Sequence, residues 1–334
     1  MKKLGVAAAM MLCAFGASAS NFRGADQVYL PVAGHVGGSS GTFISDVYLS
    51  NLSQTEDVDV SVIYQPIGEG GGSGTEFKNV ITLTAGERRE ITDFFPTVLG
   101  QNGYGQLIFN GCLKGANCGP ETQDDNGNSP NYRAISAESR IYQIPNGGSV
   151  NDGTTGQLFS GIPWYNFVSS LQSAQGLDKI FITGIRQTGL AGAAGTFRTN
   201  IGLVNASQYN TTEMVVTLYQ GSTSATSKKG EYHLDLGPLG SVQKGFGEMF
   251  GNDITGTNFF VTVEQRNNRP SPDSPSGCTQ GCPAFLAYGS ILDNKSGDAT
   301  TLEAQYMQAL SPEAITVIYP NGSGKTLMHR SVHH

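Results

Sequence analysis

The residues with the clearest chemistry are four cysteines in two close pairs. Cys112 is followed closely by Cys118, and Cys278 by Cys282. In an exported protein, such pairs favour local disulfides that close short loops. A zinc site with four thiolate ligands is the alternative, but the pairs lie in separate halves of the chain, and the five residues within the first pair exceed the two to four of common zinc sites. We therefore predict two structural disulfides, Cys112–Cys118 and Cys278–Cys282.

A second candidate is a loop rich in oxygen ligands at residues 123–128. It contains Asp124, Asp125, Asn126 and Asn128. Calcium selects carboxylate and amide oxygens, but the calcium loop of helix-loop-helix proteins also needs a central glycine and a later glutamate, at positions where this loop has neither. The favoured interpretation is a solvated hairpin tip, with calcium binding as the weaker alternative. No resident metal or cofactor is predicted.

Candidates for catalysis are few. Nucleophilic catalysis needs a base beside the nucleophile, and the histidines are His35, His233, His329, His333 and His334. The last three lie at the end of the chain, where order is least expected. Residues 321–326 resemble the end of a phosphate-binding loop but lack its first glycine, so they are interpreted as part of a tail. We predict that the protein is not an enzyme.

Aromatic side chains offer a further possibility, because sugars stack on exposed aromatic rings. The single tryptophan, Trp164, lies between the two halves of the chain. Five tyrosines are candidates for a platform, namely Tyr64, Tyr104, Tyr132, Tyr142 and Tyr165. Packing across strands is the favoured interpretation for most of them, and a carbohydrate-binding surface is the alternative.

The segments that carry these residues are repeated along the chain. Residues 41–51 and 195–205 share a Gly-Thr-Phe start and an asparagine end. Further on, residues 63–65 match 218–220 only after a slip of one residue, for which we expect a bulge or a shifted strand start. Both halves then show the same order of strands, turns and a cysteine-bearing loop, which indicates a duplication.

The repeated segments have the pattern of β-strands. Val58, Val60, Val62 and Tyr64 alternate with mostly polar residues, the period of a pleated strand. The 45 glycines and the low charged fraction of 14% indicate many turns between short strands. The predicted fold is all-β, with two tandem immunoglobulin-like antiparallel β-sandwich domains.

The first residues have a positive start, a short apolar stretch and small residues, which is typical of a signal peptide. The predicted organisation is a signal peptide (1–19), a first sandwich (20–162), a linker or docking element (163–177), a second sandwich (178–310) and a tail (311–334). The apolar stretch is too short to span a bilayer and no later segment is apolar enough, so no membrane span is predicted. The expected location is outside the cell or on its surface, with the periplasm as the alternative.

The charge restricts the choice of partner. The formal net charge is −7, and an acidic surface repels the phosphates of nucleic acids. Nucleic acid is therefore not expected as a partner. The partner stays unidentified, with a cell-surface or matrix protein or a polysaccharide as the expected classes.

Residues 197–205 and 288–298 together resemble a group of exported bacterial proteins with tandem immunoglobulin-like repeats. The resemblance covers nearly the whole chain after the signal peptide. It implies a sandwich fold, secretion and repetition, but it implies no reaction, because the group has no assigned activity. The first copy departs from the pattern, since Ile44-Ser45-Asp46 stands where the second has Arg198-Thr199-Asn200.

Together these patterns predict a non-catalytic, exported structural or adhesive module. Two alternatives remain at this level. One is a carbohydrate-binding module. The other is a filament subunit that assembles by strand exchange, with residues 21–36 as the donated segment.

Overall fold

The computed structural model describes residues 24–38, 41–72, 74–116, 118, 130–145, 148–149, 151, 154–168, 179–207, 210–269, 284–306, 315–318 and 324–327. These residues are nearly all β and form antiparallel sheets. None of the helices among them is long and apolar enough to cross a membrane. The predicted signal peptide and Asp124, Asp125, Asn126, Asn128, Cys278 and Cys282 lie outside the described residues.

The described residues of the first half include nine strands and two helical turns. The strands are β1 (Gln27–Gly38), β2 (Gly41–Asn51), β3 (Val58–Pro66), β4 (Thr75–Leu83), β5 (Arg88–Ile91), β6 (Gly103–Leu113), β7 (Ile135–Pro145), β8 (Thr155–Ser160) and β9 (Ile162–Pro163). The turns are a π-helical turn, Phe95–Leu99, and a 3-10 turn, Trp164–Asn166.

The part of the second half that the structure describes includes nine further strands and two helical segments before residue 307. The strands are β10 (Lys179–Gln187), β11 (Phe197–Asn205), β12 (Thr211–Gln220), β13 (Lys228–Leu236), β14 (Ser241–Gly245), β15 (Gly256–Arg269), β16 (Phe285–Asp293), β17 (Ala299–Glu303) and β18 (Gln305–Tyr306). The helical segments are a 3-10 turn, Ala225–Ser227, and α1, Phe246–Phe250. A separate hairpin follows, formed by β19 (Ile315–Ile318) and β20 (Gly324–Leu327).

Each half folds as two sheets with the same strand order. In the first sandwich the back sheet is β4-β3-β6-β1, and the front sheet is β5-β2-β7-β8. In the second sandwich the back sheet is β13-β12-β15-β10, and the front sheet is β14-β11-β16-β17. The back and front sheets of the first sandwich are joined, because the end of β1 also pairs with β2. The predicted antiparallel sandwich fold is confirmed, and the duplication extends to the strand pairings.

The strand order is a variant of the immunoglobulin arrangement. In that arrangement the first strand lies beside the second, and the last lies beside the sixth. Here β1 pairs with β6, and β7 pairs with β2. The pairings of β2 with β5 and of β3 with β6 are those of the immunoglobulin arrangement. The first strand, β1, and the seventh, β7, have exchanged sheets.

The slip predicted between β3 and β12 is absent. Tyr64 and Leu218 both lie in the cores, and each pairs with the equivalent position of the next strand. Tyr219 therefore does not correspond to Tyr64, although both are tyrosines followed by glutamine. It occupies the outward position that Gln65 holds in the first sandwich. An irregularity of the expected kind is nevertheless present at this place in the second copy, because the pairing of β12 with β13 shifts register between Leu218 and Tyr219. A second register shift, between β12 and β15, lies near the start of β12.

The hydrophobic core of the first sandwich extends across the boundary into the second sandwich, and we call it the shared core. The core of the first sandwich includes Leu239, Leu286 and Tyr288 of the second. By contrast, the core of the second sandwich contains no residue described in the first half except Val168. The second sandwich therefore supplies part of the core of the first, and the two are not independent folding units.

The described part of the predicted linker packs on the first sandwich as a docking element. The indole Nε1 of Trp164 donates a hydrogen bond to Asp26 at 2.7 Å. The ring of Phe167 packs edge-on against Tyr29, with 4.5 Å between centroids. Val168 forms a β-bridge with Phe285 of the second sandwich. This segment thus ties the two halves together.

Cys112 and Cys118 are joined by a disulfide, the pairing predicted for them from the sequence. The bond closes a short loop between the end of β6 and the strand that returns as β7. A short loop loses little entropy in the unfolded chain when it is closed. The pairing of Cys278 with Cys282 stays a prediction.

Replacing Cys112 and Cys118 together by serine is expected to lower the free energy of unfolding by about 2 kcal/mol, because only a short loop is released. Urea unfolding followed by circular dichroism measures the change. Reduced wild-type protein should show at least the same loss, since reduction also breaks the predicted Cys278–Cys282 bond. A transition midpoint that does not move would mean that the neighbouring backbone bonds alone hold the loop, for example the bond from Leu113 N to Asn131 O at 2.7 Å.

Candidate binding face

The tyrosines proposed as a sugar platform are dispersed over the first sandwich. Tyr64 is in the core and packs edge-on against Phe95. The hydroxyl of Tyr104 donates to Gln243 of the second sandwich, and that of Tyr132 donates to the carbonyl of Cys118. Tyr142 and Tyr165 complete the set; the first is considered below, and the side chain of the second lies outside the described residues. The backbone N–H of Tyr104 donates to the Tyr64 hydroxyl at 3.1 Å, so these two are neighbours, but the Tyr64 ring lies in the core and offers no exposed platform.

The two histidines of the described region lie on separate sandwiches. Nδ1 of His35, near the end of β1, lies 2.7 Å from a carboxylate oxygen of Asp93. The backbone N–H of Asp93 in turn donates to Asp46 at 3.0 Å. This chain of contacts fixes the turn after β5. Within the described part of the chain, no group of three or more His, Cys, Asp or Glu side chains is arranged to hold a metal ion.

His233 lies in a charged network on the back sheet of the second sandwich. Its Nδ1 is 2.9 Å from Glu213, and its Nε2 is 2.8 Å from Glu231. Both carboxylates raise the pKa of His233, with Glu213 the larger cause. Contacts with Lys228, and secondarily with His233 itself, lower the pKa of Glu231 to about 2. The arrangement favours the charged imidazolium and suits an electrostatic clasp between β12 and β13.

His233 is expected to titrate above the pKa of about 6.5 typical of histidine. The raised pKa means that this clasp is fully formed below that value and weakens as the pH rises through the pKa of the folded protein. NMR of the imidazole protons measures the titration. Glu213→Gln should lower the pKa of His233 more than Glu231→Gln does, and equal titration in all three proteins would contradict the network.

The front sheet of the second sandwich is covered by the first sandwich. Gly202, Tyr288 and Ser290 lie on its outer face, and all are buried. The Tyr288 ring lies over Gly202, where a Cβ atom would overlap it. On the other side the same ring packs edge-on against Phe159 of the first sandwich, with 5.3 Å between centroids. A glycine within the strand therefore makes room for the ring that joins the two halves.

Hydrogen bonds surround this contact. The amides of Gly68 and Ser241 donate to each other's carbonyls at 2.8 and 3.0 Å. Gln106 donates from its side chain to the carbonyl of Leu239 at 2.6 Å. At the other edge, the Ser290 hydroxyl donates to Gln157 at 2.9 Å. These bonds fix the orientation of the two sandwiches and satisfy backbone groups at the buried boundary.

The equivalent face of the first sandwich is open. Strand pairing shows the equivalence: Tyr48 lies between Glu90 and Glu138, as Gly202 lies between Gln243 and Tyr288. Tyr48, Glu138 and Arg140 are half-buried and Glu90 is exposed, whereas most of their counterparts are buried. We call the surface formed by Asp46, Tyr48, Glu90, Glu138, Arg140 and Tyr142 the open face.

The open face is chemically organised. The guanidinium of Arg140 lies 4.4 Å from the centre of the Tyr142 ring, a cation–π arrangement that covers this side of the ring. Burial first, and then Asp46, raise the pKa of Tyr142 to about 12. Burial also raises the pKa of Tyr48, as does Glu90 beside it. The face presents tyrosine and arginine, residue types enriched at protein interfaces, between carboxylates, which are more typical of the polar rim.

A cavity of about 80 Å³ lies between the two sandwiches. Its lining is mostly apolar and includes Phe159, Ile162, Val168, Ile180, Phe285 and Tyr288. This volume has room for a few water molecules or a small apolar group. The cavity belongs to the boundary between the sandwiches and lies apart from the open face.

Comparisons with known proteins give no assignment. No family model matches the chain, and no curated protein is similar to it. The crystal structure of Thermotoga maritima 1070 is 13% identical, covers 40% of this chain and 97% of that chain, and has a TM-score of 0.28. The BSP domain of a biofilm associated protein is 12% identical and covers 85% of this chain and 59% of that chain, with a TM-score of 0.19. A β-glucuronidase of Bacteroides uniformis is 10% identical, covers 78% of this chain and 24% of that chain, and has a TM-score of 0.12. Likenesses of this size place the chain in no family and assign it no activity.

Proposed function

We propose that the chain is a non-catalytic, exported structural protein that attaches to a partner at the cell surface or outside the cell through its open face. One observation carries the proposal. The same sheet face is buried by a neighbouring sandwich in the second half of the chain, whereas in the first half Tyr48, Glu138 and Arg140 are only half-buried and Glu90 is exposed. A surface that one copy of a module uses for docking is a candidate docking surface in the other copy.

The composition of the open face supports attachment to a protein. Tyrosine and arginine are enriched among the residues that dominate binding energies. Tyr48 and Arg140 have this character, and both keep part of their surface exposed. The carboxylates of Glu90 and Glu138 add polar groups that fix register and orientation.

The two alternatives have less support in the geometry. A sugar platform needs an accessible ring face, but Tyr142 is buried beneath Arg140. Strand exchange needs a strand that leaves its own sandwich. The described part of the proposed donor segment, however, pairs with β6 over residues 27–35 and with β9 on its other side.

A retention assay on cells of the producing bacterium tests the proposal. Fluorescently labelled wild-type protein should bind to the cells, and the double variant Tyr48→Ser/Arg140→Ser should bind at least about tenfold more weakly. Val80→Ser is the matched control, because this exposed valine lies on the back sheet, away from the open face. Equal retention of the double variant, or no retention of the wild type, would overturn the proposal. A hit on a glycan array that the double variant loses would replace it with carbohydrate binding.

A further inference from the structure

The second sandwich has an aromatic pair on the outer side of its back sheet. Tyr219 in β12 and Phe260 in β15 lie directly opposite each other. Their rings are stacked, with 5.4 Å between centroids and an interplanar angle of 15°. Both side chains are half-buried, although they point away from the core of their own sandwich. The pair is a flat apolar surface at a position where an outward residue is usually polar.

The equivalent residues of the first sandwich form part of the boundary between the two halves. Gln65 and Gln106 lie opposite each other in β3 and β6, as Tyr219 and Phe260 do in β12 and β15. Both glutamines are buried, and Gln106 bonds to the turn between β13 and β14. The first sandwich therefore uses this site to contact the second, and the second sandwich has the same site with larger apolar side chains.

We propose that a second copy of this chain docks its open face on the Tyr219–Phe260 pair, so that the contact between the two sandwiches of one chain is repeated between chains. This inference rests on the proposed function and names the partner of the open face. Each chain then has one site of each kind. The contact is heterologous, so it adds chains head to tail and does not close into a symmetric dimer.

The two sites are complementary in size. Within the chain, Leu239 at the tip of the β13–β14 turn packs in the shared core beside Gln106. The equivalent tip in the first sandwich is Gly86, because both residues have a positive φ. The backbone N–H of Gly86 donates to the carbonyl of Ser53 after β2, as that of Leu239 donates to the carbonyl of Ser207 after β11. Between chains, the small residue Gly86 would meet the large residue Phe260. Within the chain, the larger apolar side chain is at the tip of the turn, and between chains it is on the sheet that the tip contacts.

The sheet edge formed by β4 is a poor alternative for self-association. The edge strand β4 carries the charged residues Glu76 and Lys78. Its pairing with β3 is interrupted by a register shift, and Asn79 has a positive φ of 48°. Charges and bulges of this kind prevent one edge strand from pairing with another. Association through faces is therefore favoured over association through this edge.

Sedimentation velocity of the purified chain over a wide concentration range tests the inference. The wild type should form species larger than a monomer that grow with concentration. Tyr219→Ser/Phe260→Ser and Tyr48→Ser/Arg140→Ser should each weaken self-association at least about tenfold, and Val80→Ser should leave it unchanged. Circular dichroism confirms that each variant is folded.

Mixing the two double variants gives the decisive result. Each variant keeps one intact site, so the mixture should form heterodimers and nothing larger, while either variant alone stays monomeric. A wild type that is monomeric throughout, or self-association that both variants retain, would overturn the inference. Monomeric wild type together with retention on cells that depends on the open face would leave the proposed function standing and reject the second copy as its partner.

Discussion

The first sandwich expressed alone, as residues 24–168, is expected to be unfolded or aggregated. Its core lacks Leu239, Leu286 and Tyr288, which the second sandwich supplies. Each fully buried apolar side chain contributes about 1.5–3 kcal/mol. The loss of three is comparable to the total stability of about 5–15 kcal/mol that a domain has. Near-ultraviolet circular dichroism and thermal unfolding measure the outcome.

The second sandwich alone, as residues 166–306, is the matched control. Its core is built almost entirely from its own residues, so it should unfold cooperatively. In the full chain the first sandwich should never unfold after the second. Cooperative unfolding of the isolated first sandwich at the temperature found in the full chain would show that the shared core contributes little.

Tyr288→Ala is expected to lower the free energy of unfolding by about 3–5 kcal/mol, the range for large aromatic side chains truncated in a core. The ring lies between Gly202 and Phe159, so its removal leaves a cavity at the boundary. Urea unfolding measures the loss. Tyr219→Ala is the control, because it removes a tyrosine from the outer side of a sheet and should cost about 1 kcal/mol or less.

The same ring couples Tyr288 to Gly202. Gly202→Ala is expected to destabilise the chain by about 1–3 kcal/mol, since the new methyl group would overlap the ring. In the Tyr288→Ala background this cost should be smaller, because the methyl group enters the space that the ring has left. Additive effects of the two substitutions would contradict the packing of Tyr288 on Gly202.

Side-chain alternation predicts the strands well but says little about what covers them. Val58, Val60 and Val62 identify β3 and its buried side, because one face of a sandwich sheet always packs on the core. The match between the two Tyr-Gln pairs is misleading, since sequence identity does not require the same facing. Tyr64 points into the core, whereas Tyr219 points outward.

The open face is not predicted from the sequence of either half alone, because it is recognised only by comparison with the equivalent face that the first sandwich covers in the second half. One signal is nevertheless present in the sequence. Gly202 stands where the first copy has Tyr48, and a glycine inside a strand marks a close approach by another group. Comparison of the two copies position by position, with attention to residue size, identifies the face that one copy buries.

The shared core also sets an order of events during synthesis. Leu286 and Tyr288 leave the ribosome long after β1 to β9, and at about 5–20 residues per second the delay is on the order of 10 s. Until then the nascent first sandwich exposes the apolar surface that the second sandwich covers in the folded chain. The first sandwich is therefore synthesised first but completes its folding only near the end of translation. A chaperone that binds exposed apolar surface would matter most during this delay.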